Sequence, residues 1–160
     1  MAPQTPYTKD LGDRDPIAAM RETPELIRAI TSGWTAAQFE HTYAPGKWSA
    51  RQILVHLAQT ELALGTRARM TLTIPNYAAQ SFDQDQWLPL DSAMSGREAV
   101  EAFVAVAIMN RTAFAALTPA ERERTLSHPE YGSLTVDWII HQMAGHQIHH
   151  LKQLEIIGAT

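Results

Sequence analysis

Three long segments of this chain repeat apolar residues every three or four positions, and this periodicity constrains the fold more than any other feature. Ser49 and Gln52 have the spacing of a capping box, and Ile53, Leu57, Thr60, Leu64 and Ala68 then share one helical stripe, which predicts a helix over about 49–72. Ser95 and Glu98 repeat the signal ahead of Ala99, Phe103, Val106, Asn110 and Phe114, predicting a helix from 95 to about 117. The last helix is expected to start near Thr135, turn Val136, Ile139, Met143, Leu154 and Ile157 inward, and stop at Gly158. An earlier helical layer over 16–32 opens on Asp15-Pro16, is expected to kink or restart at Pro24, and stops at Gly33. Four main helices and no convincing alternating strand predict an all-α four-helix bundle.

Between the second and third helices, residues 76–94 read as a long irregular crossover, a connection length more often functional than accidental. Thr35–Gln38 and Thr118–Glu121 predict short extra helical turns. Residues 125–134 read as a loop open to brief strand pairing, so strand content is expected to be negligible. Residues 1–15, polar and carrying Pro3 and Pro6, are expected to be a flexible arm, leaving one domain over 16–158.

Composition removes several function classes. With 13 Lys and Arg against 17 Asp and Glu, the net charge is −4, and no basic field selects nucleic acid. No stretch approaches the ~20 apolar residues of a membrane span, and the amino terminus lacks the apolar run of a signal peptide, so a cytoplasmic protein without membrane contact is expected. There are no cysteines, so a metal site must draw on His, Asp or Glu, and a thiol nucleophile must come from outside the chain.

Four of the seven histidines fall within ten residues, at His141, His146, His149 and His150. Residues four apart stack on one helix face, so His146 and His150 can offer two imidazoles to one ion. Both interrupt the apolar stripe and therefore point into the bundle. His56 does the same on the second helix, three residues after Ile53 and four before Thr60. Each unsatisfied imidazole in a core costs roughly 1 to 3 kcal/mol. Three together suggest a common purpose, a divalent ion held by neutral ring nitrogens with a position left open. His149 is read as an outer support or interface residue, with His146/His149 as the competing ligand pair. His141 is read as a solvated partner of Asp137, and His41 and His128 as surface loop residues.

Two segments carry a family resemblance. Ala44-Pro-Gly-Lys-Trp-Ser-Ala-Arg-Gln-Ile-Leu-Val-His56-Leu-Ala-Gln-Thr-Glu61 resembles the second-helix signature of the DinB-like (DinB/YfiT) superfamily, and Gly132 to Leu154, with His146, His150 and Gln153, resembles its last helix. The resemblance implies an up-down-down-up bundle, with the long crossover between helices 2 and 3. It also implies one divalent ion per chain on His56, His146 and His150, and a homodimer. Zinc or nickel is the expected metal, with iron and manganese as further options.

Members of the superfamily include S-transferases that use low-molecular-weight thiols and a mycothiol-dependent maleylpyruvate isomerase. The first functional expectation is therefore an enzyme whose ion activates a small thiol for transfer to a small electrophile. Its alternatives are a hydrolase that activates water, and a metal-binding, stress-related module without turnover; a weaker one is a structural bundle whose histidines bond each other. Candidate pocket residues are Thr60 and Glu61 on the second helix, Asn110 on the third, and Asp83, Asp85 and Trp87 in the crossover. Each has a plainer role available: Glu61 as a solvated helix residue, Trp87 as a packing lid, Asn110 as an interhelical hydrogen bond.

Overall fold

A computed structural model describes residues 2–159. Its elements in chain order are α1 (Thr8–Leu11), α2 (Pro16–Thr31), α3 (Ala36–Phe39), α4 (Ala50–Thr73), α5 (Gln84–Trp87), α6 (Gly96–Ala115), α7 (Pro119–Arg122), β1 (Thr125–His128), β2 (Gly132–Thr135) and α8 (Val136–Gly158), with a 3₁₀ turn at Leu88–Asp91. The capping boxes form as the spacing predicts: Ser49 and Gln52 cap α4 reciprocally, and Ser95 and Glu98 cap α6. α4 ends at Thr73, and its C-cap Ile74 is extended directly before Pro75, whose ring disfavours helix in the residue ahead of it.

Helix directions follow from which ends meet. Gly96 at the start of α6 packs under Phe39, and Arg51 near the start of α4 bonds Ser92 O, so α4 and α6 run parallel. Leu64 and Ala68 late in α4 share a core cluster with Val136 and Ile139 early in α8, and Ile53 and Leu54 early in α4 share one with Leu151 and Leu154 late in α8, which sets α8 antiparallel to α4. Arg97 bonds Thr31 O, so α2 runs against α6. The bundle is up-down-down-up, and the crossover over 74–95 is what lets α6 return parallel to α4. No described helix is long and apolar enough to cross a membrane.

The core is divided. One apolar cluster holds Met20, Leu64, Ala68, Phe114, Ile139, Ile140 and Met143, and the other holds Ile27, Ile53, Leu54, Phe103, Val104, Leu151 and Leu154. Between them lies a buried polar layer of Gln59, Thr60, Glu61, Asn110, His146, Gln147 and His150.

Three expectations need correction. α2 is a single helix of 16 residues that neither breaks nor restarts at Pro24. Burial of Met20, Thr23, Pro24 and Ile27 against α6 and α8 outweighs the roughly 3 kcal/mol an internal proline costs. Strand content is small but not negligible: the brief pairing left open over 125–134 forms as the β1–β2 antiparallel hairpin, with Leu126 opposite Leu134, both buried, closing one end of the core.

The segment expected to be a flexible arm contains α1, which lies on α8 with Leu11 buried. Gly145 makes that docking possible, since a Cβ there would stand 2.6 Å from Tyr7 O. Lys152 Nζ donates to Asp10 Oδ1 at 2.6 Å and holds the segment down.

Candidate metal centre

α4 and α8 bring His56, His146 and His150 to one point. His146 Nε2 lies 3.0 Å from His56 Nε2 and 3.0 Å from His150 Nε2, and the three residues are 3%, 4% and 6% exposed. A neutral ring nitrogen carries either a proton or one in-plane lone pair, so His146 Nε2 cannot satisfy both neighbours by hydrogen bonding. Nitrogens 3.0 Å apart can, however, both lie about 2.0 to 2.1 Å from a shared ion, the zinc–imidazole distance. The donor set therefore fits a divalent cation better than it fits itself. His56 Nδ1 is a further buried atom with no hydrogen-bond partner.

Burial keeps these rings neutral, the form that binds metal. It pushes the His56 pKa down to about 4. It does the same to His150, to about 3, with the His56 charge adding to the effect and the Gln153 bond opposing it. His146 is also held well below the usual imidazole range by burial, and then by the neighbouring rings of His150 and His56.

A chain of bonds orients one ligand. Gln153 Oε1 accepts from His150 Nδ1 at 2.7 Å, which leaves the His150 Nε2 lone pair toward the centre. Gln153 Nε2 donates to His149 Nε2 at 3.2 Å, and His149 Nδ1 donates to Asp10 Oδ2 at 3.2 Å. His149 lies outside the set of three converging histidines. The spacing left both His149 and His150 open as the partner of His146, and the geometry selects His150. Aromatic rings surround the centre: Trp48 against His56 at 4.9 Å, Tyr7 edge-on to His146 at 5.0 Å, and Phe82 stacked over His56 at 6.4 Å.

A cavity of about 190 Å³ reaches His56 and His146. Of the sequence candidates only Thr60 lines it, with Oγ1 buried and unpartnered. Glu61 turns away and is fully buried, so it is not a solvated helix residue. Its Oε1 accepts from Gln147 Nε2 at 2.6 Å and its Oε2 from Asn110 Nδ2 at 2.8 Å. Burial raises its pKa to about 7 against the opposing pull of Asn110 and Gln147.

Asn110 takes the interhelical role, also accepting from Arg69 Nη1 at 2.6 Å. Trp87 stands behind the cavity wall with its ring 4.9 Å from that of Phe82, and Asp83 caps α5 while Asp85 is exposed. His41 is exposed as expected and His141 pairs with Asp137, but His128 is 8% exposed and lines the cavity, because the hairpin carries it inward. Sequence reasoning missed Tyr7, Arg67, Phe82, Trp138 and Gln142 as lining residues. A signal existed for Arg67, which continues the His56–Thr60–Leu64 face by three residues.

A helical bundle with three converging histidines defines a class of metal-binding four-helix proteins, and comparison with known proteins places the chain within it. Residues 19–154 match the DinB superfamily, and the chain belongs to that superfamily. A protein of Oceanobacillus iheyensis named "putative metal-dependent hydrolase" is 26% identical over 145 residues, covering 86% of this chain and 81% of that one. A Bacillus subtilis protein of the same description, YfiT, is 21% identical over 141 residues, covering 86% and 79%. The solved structure of Bacillus subtilis YfiT, described as having "an unusual four-helix bundle topology", superposes with a TM-score of 0.82 at 20% identity, over 99% of this chain and 90% of that one.

Proposed function

We propose that this chain is a metal-dependent hydrolase acting on a small molecule in the cavity beside His56 and His146. One observation carries the reading: three imidazole nitrogens converge, no fourth His, Asp or Glu among the described residues joins them, and the cavity borders two of the three rings. A structural zinc is usually closed by four protein ligands, whereas a catalytic one keeps a position for water or substrate. A divalent ion bound there would supply Lewis acidity and lower the pKa of water to about 7. Imidazoles suit zinc and nickel, the metals we propose.

The chain's own groups do the rest. Burial keeps the three rings unprotonated, and Gln153 fixes the His150 tautomer. Thr60 Oγ1 offers a hydroxyl to a polar substrate atom, and Phe82 and Trp48 keep bulk water off His56. The names of the relatives support water over an external thiol as nucleophile.

The test is to strip the protein, reload it with zinc or nickel at neutral pH, and measure bound metal and hydrolysis of a small activated ester such as 4-nitrophenyl acetate. About one ion per chain is expected, with a hydrolysis rate lost in His150→Ala. An unchanged rate in that variant would overturn the reading. A rate that appears only when a thiol is added would transfer it to S-transfer. We also propose a homodimer, supported by exposed Leu62 and Met70 on α4 beside Ile108 and Met109 on the neighbouring α6. A monomer mass by light scattering at micromolar concentration would dismiss it.

A further inference from the structure

The cavity has a second polar end. Along α4 its wall is His56, Thr60, Leu64 and Arg67, at steps of four, four and three on one helical face. The eleven steps from His56 to Arg67 span about 16 Å of helix axis. α8, antiparallel, supplies His146, Gln142 and Trp138 in the opposite order. The cavity is therefore a slot along the α4/α8 seam, with the histidine centre at one end and Arg67 toward the other. A cavity of about 150 Å³ takes one benzene. The 190 Å³ available here, drawn out along this seam, admits a slender molecule no wider than a single ring.

The Arg67 end is built for an anion. Arg67 is half-buried, donates to Gln80 O, and forms no ion pair with any described acid. The guanidinium stays charged in any case. Beside it, His128 Nδ1 accepts from the Glu130 N–H at 3.2 Å, which places the ring proton on Nε2 and makes that atom a donor. Burial and then the Arg67 charge, against the opposing Glu130 charge, hold His128 below the usual imidazole range and so favour the neutral ring. A cation without a bonded carboxylate, next to a neutral N–H donor, complements a carboxylate, whose two oxygens match the guanidinium fork. Phe82, Trp138 and Tyr131 give the slot apolar walls, and exposed Glu130 at the rim opposes any further negative charge.

We propose that Arg67 and His128 form a carboxylate-binding subsite, so that the substrates are small, slender monocarboxylates whose cleaved bond lies at the end remote from the carboxylate. The inference rests on the hydrolase reading only in assigning the reacting end to the histidines. The binding subsite itself needs no metal and no turnover.

The test uses 4-phenylbutanoate and its uncharged isostere 4-phenylbutanamide, titrated calorimetrically into metal-free and zinc-loaded protein. The carboxylate should bind at least tenfold tighter than the amide in both forms. Arg67→Gln keeps an amide donor for Gln80 O and should erase that preference, while Arg67→Lys should restore part of it. Glu130→Gln, remote from the fold's core, should tighten the carboxylate about threefold and leave the amide unchanged. Equal binding of the two probes overturns the proposal, as does a preference that survives Arg67→Gln, or one that appears only with zinc and so reports the ion. Should Arg67→Gln fail to fold, an unchanged preference in Glu130→Gln is sufficient to reject it. Failure of the hydrolase reading would appear instead as absent metal or absent turnover, with the carboxylate preference intact.

Discussion

The bundle buries two polar clusters at one level between α4 and α8, and they answer the problem of desolvation in opposite ways. Around Glu61 almost every donor finds an acceptor: Gln147 and Asn110 donate to its two oxygens, and Arg69 donates to Asn110. Gly65 leaves the room, since a Cβ there would overlap the Asn110 amide. Around His146, by contrast, three ring nitrogens meet with no proton arrangement that satisfies them, and a cavity runs up to two of the rings. A satisfied buried network fixes helices relative to one another. An unsatisfied one beside a cavity is completed by something that arrives from outside.

The comparison breaks most visibly through metal. At an ion concentration 1,000 times Kd, loading stabilises a folded chain by about 4 kcal/mol. His146→Ala should lose that gain and nearly all bound metal by elemental analysis, while its helical circular dichroism stays unchanged. Glu61→Ala should do the converse. Two buried amides lose a carboxylate acceptor at roughly 1 to 3 kcal/mol each, so the free energy of urea unfolding should drop by about 3 to 4 kcal/mol with or without zinc. If Glu61→Ala kept its stability and lost its metal, the two clusters would be one.

Acidity sharpens the contrast in the metal-free protein. His56 and His150, held at about 4 and about 3, bind protons less readily folded than unfolded. Their contribution is complete above about pH 6.5 and is lost as pH falls through those values. Glu61, raised to about 7, acts in the reverse sense: its contribution is complete below about pH 4.5 and is lost as pH rises through 7. Unfolding free energies from pH 4 to 8 should therefore pass through a maximum near pH 6.5, and Glu61→Gln should remove the fall just above it and steepen the rise below it, where Glu61 opposes the histidines. The smallest effect concerns support of the ligand. Asp10→Asn weakens the bonding that runs through His149 and Gln153 to His150, and metal affinity measured by competition with a chelator should fall about tenfold.

Much of this was legible before any coordinates. Ser49, Ser95 and Thr135 mark the starts of α4, α6 and α8 through local hydrogen bonding, which needs no tertiary information. The phase of His56, His146 and His150 against the apolar stripes located the centre for the same reason. Glu61 was not legible, because whether a polar residue beside a stripe meets solvent or another helix depends on where α6 lies. Tyr7 and Asp10 were hidden further, since their importance arises from Gly145, more than 130 residues away in sequence. His128 was misjudged because a four-residue strand, read as loop, reverses which side chains face inward.

His56 and His146 are separated by 90 positions yet stand 3.0 Å apart. During synthesis the second helix leaves the ribosome long before its partners exist, and His56 waits as a single imidazole with little hold on any ion. The centre can close only once α8 has been made and has packed. An ion bound there would fasten the two ends of a long chain loop, so its uptake would require α4 and α8 to be packed together first.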